Sequence, residues 1–167
     1  MALARAWART SLGSSEQGIH GIAIGCQQRI SAGRLRSNIY PALLAEAHLS
    51  LGEFDAAADW LRIGLADARE ETEGYGLSEL LRLEAELLLH TEPDAAKAEA
   101  SFRRALAIAR DQSALTFELR TEVSFCEWLA GRDRAGARSR LEGVMARFTE
   151  GFQSWDMRRA HVLLDRL

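Results

Sequence analysis

A chain of 167 residues suits one compact domain or one short repeat array, and can bury a core without disulfides or metals. Hydrophobic residues at 47% and charged residues at 27% exclude a disordered chain. A net charge of −3, from 21 basic and 24 acidic side chains, lacks the basic excess of a nucleic-acid binder.

Ala, Leu, Glu and Arg dominate, all good helix formers, while Val and Ile never gather into alternating runs. An all-α chain is therefore expected. In chain order, "MALARAWARTSLG" offers one short helix and no signal-peptide core. Ser14 and Gln17 of "SSEQ" form a capping box for the helix carrying "GIHGIAIGC" (18–26). That glycine-rich stretch is too short to span a bilayer, and it reads as close helix packing rather than a membrane zipper.

After the polar stretch at 32–38, "YPALLAEAHLSLG" predicts a helix over 40–52 that Gly52 ends. Asp55 is placed as the N-cap of the next helix. "LSELLRLEAELLLH" (77–90) is followed by Pro93, which stops it, and Asp94, which starts the helix containing "AEASFRRALAIAR" (98–110). "LTFELRTEVSFCEWLAG" (115–131) ends at Gly131, and Asp133 caps its successor. Ser154 caps a last helix whose apolar face is read as Trp155, Val162 and Leu163, with Met157 nearby.

One spacing recurs: small, large four residues on, small three residues further. It fits Gly18–Ile22–Gly25, Ala57–Leu61–Gly64 and Ala98–Phe102–Ala105. Ala137–Leu141–Val144 keeps the spacing without the last small residue. The large residues at 22, 61, 102 and 141 are 39, 41 and 39 residues apart. Positions i, i+4 and i+7 share one helix face, and small residues around a large one let a neighbouring helix come close. The expectation is one domain over 1–167: four helix pairs at about 1–36, 37–74, 75–112 and 113–150, with a capping helix at about 154–167.

Ala45, His48, Gly52, Ala57, Leu61 and Gly64 in one copy, and Ala85, Ala98, Phe102 and Ala105 in the next, resemble the tetratricopeptide repeat. The resemblance implies tandem antiparallel helix pairs stacked as a right-handed α-solenoid. The stretches "LLAEAHLSLGEFDAA", "ELLRLEAELLL", "AEASFRRALAIAR" and "FTEGFQSWDMRRAHVLLDRL" also resemble the C-terminal repeat region of large bacterial regulators. In those proteins a cyclase-like or transcription-factor module is joined to a signal-transduction ATPase. That likeness implies a cytoplasmic bacterial protein acting in interaction or signal sensing. The cyclase and the ATPase are not in this sequence, so their activities do not transfer.

No chemistry converges in the sequence. His20, His48, His90 and His161 fall in different repeats, without the spacing of a metal site. Neither a phosphate loop nor a nucleophile elbow occurs. Cys26 and Cys126 read as reduced thiols inside helices. Trp7, Trp60, Trp128 and Trp155 read as core or cap contacts before an aromatic cage. No catalytic residue, metal or cofactor is expected.

In helix-pair solenoids the first helix of each pair lines the concave surface. The positions assigned to that groove are Glu46; Glu79, Arg82 and Glu86; and Glu118, Thr121, Glu122 and Phe125. One reading of Glu79–Arg82–Glu86 is an exposed ladder worth a few tenths of a kcal/mol. The other is an acidic groove for a basic or mixed-charge partner segment. Arg103, Arg104 and Arg110 are assigned to the solvated convex side. The expected function is a non-catalytic protein-interaction or sensor module, with no nucleic acid or membrane as partner. The alternative is a homodimer formed through a trimmed first repeat, near Trp7, Ile19 and Ile22.

Overall fold

The computed structural model describes residues 39–70, 76–91 and 95–167, with 67–70 as backbone only. The first expected repeat, its Ile22 copy of the spacing, Cys26, Asp94 and the residues named for self-association lie outside them. Among the described residues the chain is all helical, in seven helices: α1 (Ile39–Leu51), α2 (Phe54–Glu70), α3 (Leu77–Thr91), α4 (Ala95–Asp111), α5 (Leu115–Leu129), α6 (Arg134–Met145) and α7 (Trp155–Arg166). None is long and apolar enough to cross a membrane.

Local chemistry explains the helix ends. Gly52 takes φ +74°, and the Gly52 and Glu53 amides close α1 onto the carbonyls of Leu49 and His48. Asp133 accepts from the Gly136 amide at 2.9 Å, and Ser154 from the Met157 amide at 3.2 Å, so both act as the expected caps. Asp55 does not: α2 starts at Phe54, and its first turn closes with the Ala57 amide bonded to the Glu53 carbonyl. Asp55 sits instead in the first turn, where its charge favours the helix dipole.

The repeated spacing marks buried residues in every copy that is described. Ala57, Leu61, Ala98, Phe102, Ala105, Ala137, Leu141 and Val144 are buried in α2, α4 and α6, as is Gly64. Gly64 shows why the position must be small. A Cβ added there would lie 2.8 Å from Leu80 Cδ2 on α3 and 2.9 Å from Pro41 Cβ on α1. We predict that Gly64→Ala lowers stability by about 1–3 kcal/mol through overpacking, read by chemical denaturation. An unchanged midpoint would mean that α2 is not held this close.

Each described helix packs on the next, and α1–α3, α3–α5 and α5–α7 also touch, whereas α2, α4 and α6 do not contact one another. The core follows this order as successive clusters. Ala42, Ala45, Leu61, Leu80 and Leu83 join α1, α2 and α3. Ala85, Phe102, Leu106 and Phe125 join α3, α4 and α5. Val123, Cys126, Leu141, Met157 and Leu163 lie in a third cluster across α5, α6 and α7.

On α7 the buried face is Met157, Ala160 and Leu163. Trp155 and Val162 lie seven residues apart on another face and are 46% and 59% exposed, which corrects their assignment to the apolar contact.

Candidate functional site

The groove positions resolve into two charge networks on different faces of α5. Two residues rotate a helix by about 200°, so Glu118 and Glu122 point away from Arg120 and Ser124. The first network runs through α1, α3, α5 and α7. The second joins α4, α5, α6 and the turn that follows α6.

Arg82 is the hub of the first. It is 1% exposed, and Glu79, one turn before it, is 2% exposed. The exposed-ladder reading of this stretch is therefore wrong. Arg82 Nε and Nη2 donate to the two Glu79 oxygens at 2.9 and 2.6 Å, a bidentate fork. Its Nη1 donates to Glu86 at 2.6 Å, and Nη2 also reaches Glu46 on α1 at 3.1 Å. Burial works against the Arg82 charge, but Glu79, Glu86 and Glu46 outweigh it and hold the guanidinium pKa well above its usual value.

Arg120 is the second cation. It donates to Glu46 through Nη2 and forms an ion pair with Glu79 through Nη1 at 2.8 Å. Its Nε is buried without a hydrogen bond and lies 3.4 Å from Asp156 on α7, an ion pair only. Ser124 donates to Glu86 at 2.5 Å. Among the described residues, four carboxylates (Glu46, Glu79, Glu86, Asp156) thus face two guanidiniums (Arg82, Arg120), a formal excess of two negative charges in this set.

Asp156 is perturbed by burial first and by these charges second. Burial raises its pKa, Arg120 opposes, and the Glu79 and Glu46 carboxylates raise it further. A carboxyl with a higher pKa folded than unfolded binds protons more tightly in the folded state. Its ionisation therefore costs stability: the cost is absent below the unfolded pKa and complete above the folded one. We expect Asp156→Asn to gain stability relative to the parent as pH rises from about 4 towards 7. Denaturation midpoints across that range check it, and a constant difference would contradict it.

The other four groove candidates belong elsewhere. Glu118, 2% exposed, accepts from Arg110 at 2.7 Å and from Arg147 at 2.6 Å. Glu122 takes Arg110 and Arg140, each at 2.9 Å. Burial raises the Glu122 pKa against the pull of Arg140 and Arg110, and Glu118 adds to the rise. Arg110 is thus half-exposed but paired with two buried carboxylates, not simply solvated as expected, whereas Arg103 and Arg104 are exposed. Thr121 is buried and bonds back to the Phe117 carbonyl. Phe125 is a core ring, stacked between Phe102 at 5.2 Å and Trp128 at 5.7 Å. Cys126 is buried, and burial with the nearby Glu122 charge pushes its thiol up to about 12, which leaves it protonated and inert near neutral pH.

Above the first network lies an open pocket of about 360 Å³ between α1, α3 and α7. Arg82, Glu46 and Glu86 contribute charge to its lining, Leu43 and Leu49 an apolar wall, and Trp155 and Arg159 the α7 side. The side chains of Glu46 and Glu86 are about one-quarter exposed, at 25% and 26%. Arg159 pairs with Glu127 at 2.8 Å, and its guanidinium lies 5.7 Å from the Trp155 ring centre. His90, also in the lining, stacks on Phe54 at 5.1 Å.

Of the expected groove residues, Glu46, Glu79, Arg82 and Glu86 come together. Arg120, Ser124, Asp156, Trp155 and Arg159 complete the site without having been foreseen. The described tryptophans do not converge: Trp60 packs on the α1–α3 cluster, Trp128 on the α3–α5 cluster, and Trp155 lines the pocket. Among the described residues no group of three or more His, Cys, Asp or Glu side chains could hold a metal ion. Comparison of the chain with protein-family models, with curated proteins and with solved structures finds no match.

Proposed function

We propose that this chain is a non-catalytic interaction module: a tetratricopeptide-like solenoid of antiparallel helix pairs that binds a basic segment of a partner protein on the face lined by α1, α3, α5 and α7. The order of helix contacts supports the architecture, because α1, α3, α5 and α7 touch in succession while α2, α4 and α6 do not. First helices of stacked pairs behave in this way. The likeness of the repeats to those of bacterial regulators fits a cytoplasmic signalling role.

One observation carries the choice of ligand: an open pocket sits directly on a network with two negative charges in excess. Complementary charge steers association and rejects acidic partners. Glu79 is too buried to meet a partner itself. It adds to the potential at the pocket, and Glu86, which lines it, is the contact group.

A peptide library displayed against the whole chain tests this reading. Selection should enrich Arg and Lys, and raising the salt concentration should weaken the binding of the selected peptides. Glu86→Gln, which removes the charge at a residue open to the pocket but keeps its shape, should weaken it. Selection of acidic peptides, or of none, would overturn the proposal.

A further inference from the structure

We infer that the pocket between α1, α3 and α7 takes one arginine side chain of the partner, with its guanidinium held by Glu86 and stacked on Trp155. The inference rests on the proposed function and adds the residue that anchors it. Three independent features select an arginine.

The first is size. At about 360 Å³ the pocket is at the small end of ligand pockets, which run from roughly 300 to 1,000 Å³, and it suits a single long side chain. The second is charge. Both internal bonds to Glu86 fall on the same oxygen: Arg82 and Ser124 each donate to Oε1. A carboxylate can accept about four hydrogen bonds, so Glu86 can take a further donor without giving up Arg82.

The third feature is Trp155. Its ring is 46% exposed, while Met157, Ala160 and Leu163 on the same helix are buried. It already has the Arg159 guanidinium within cation–π range. A planar, weakly hydrated guanidinium both stacks on an indole and forks onto a carboxylate, whereas an ammonium is compact and strongly hydrated.

The test uses the whole chain labelled with ¹⁵N, and Nα-acetyl-arginine methylamide as probe. The Trp155 indole N–H signal, assigned by its loss in Trp155→Phe, reports binding. The arginine probe should shift it saturably, and the citrulline counterpart, which has the same shape without the charge, should not. Glu86→Gln should weaken the probe about tenfold, the loss of one charge-assisted contact. Glu142→Gln, at an exposed ion pair on α6, should leave binding unchanged.

No saturable shift with arginine, an equal shift with citrulline, or indifference to Glu86→Gln would overturn the inference. Equal affinity for the lysine counterpart would overturn the choice of a guanidinium. If library-selected basic peptides bind but Trp155→Ala does not weaken them, the arginine pocket fails while the basic-partner reading stands. If neither the peptides nor the probe bind, both fail.

Discussion

Arg82→Ala should destabilise the chain by about 3–5 kcal/mol, the effect of removing one partner from a buried ion network. The loss arises less from the missing bonds than from what stays behind. Glu79 is 2% exposed, and without Arg82 its remaining ion pair among the described residues is with Arg120, which also pairs with Glu46 and Asp156. The cause can be isolated. In an Arg82→Met background, Glu79→Gln should recover about 1–2 kcal/mol, because it removes one stranded charge. Chemical denaturation of the single and double variants measures both. A small loss for Arg82→Ala, or no recovery in the double variant, would mean that water reaches the network freely.

Phe102→Ala should cost about 3–5 kcal/mol by a different mechanism, the opening of a cavity. Phe102 is fully buried, stacks on Phe125 at 5.2 Å, and lies in the cluster joining α3, α4 and α5. The small residues on either side of it, Ala98 and Ala105, cannot move in to fill the space. Thermal and denaturant midpoints should both fall, and Phe102→Leu should lose much less because it keeps most of the buried volume. A loss below about 1 kcal/mol for Phe102→Ala would mean the cluster collapses around the gap.

The packed helix faces were legible because their signal is local. Ala98, Phe102 and Ala105 declare a packed face through helix periodicity alone, and their counterparts in α2 and α6 are buried in the same way. Caps were legible where a side chain does the capping, at Asp133 and Ser154. Asp55 misled because one acidic residue suits both the cap and the first turn.

The site was legible only in part. Glu79, Arg82 and Glu86 stand out on one helix, but their burial comes from α1, α5 and α7, which periodicity within α3 does not show. In α5 the register slipped. Copies spaced by 39 to 41 residues leave an uncertainty of two residues, and that turns the helix almost to its opposite side. Glu118 and Glu122 were taken for groove residues in place of Arg120 and Ser124. Trp155 and Asp156 were hidden for another reason: α7 folds back to the network across contacts with no spacing in sequence.

The inner charge network is tested most directly by a double-mutant cycle on Glu46 and Arg120, which bond across 74 residues of chain and join α1 to α5. Glu46→Gln, Arg120→Met and the pair of substitutions would be compared by denaturant unfolding at neutral pH. The predicted result is a coupling of at least about 1 kcal/mol between the two sites. Additivity within about 0.3–0.5 kcal/mol would contradict it, and with it the placing of α1, α3, α5 and α7 around one shared set of charges.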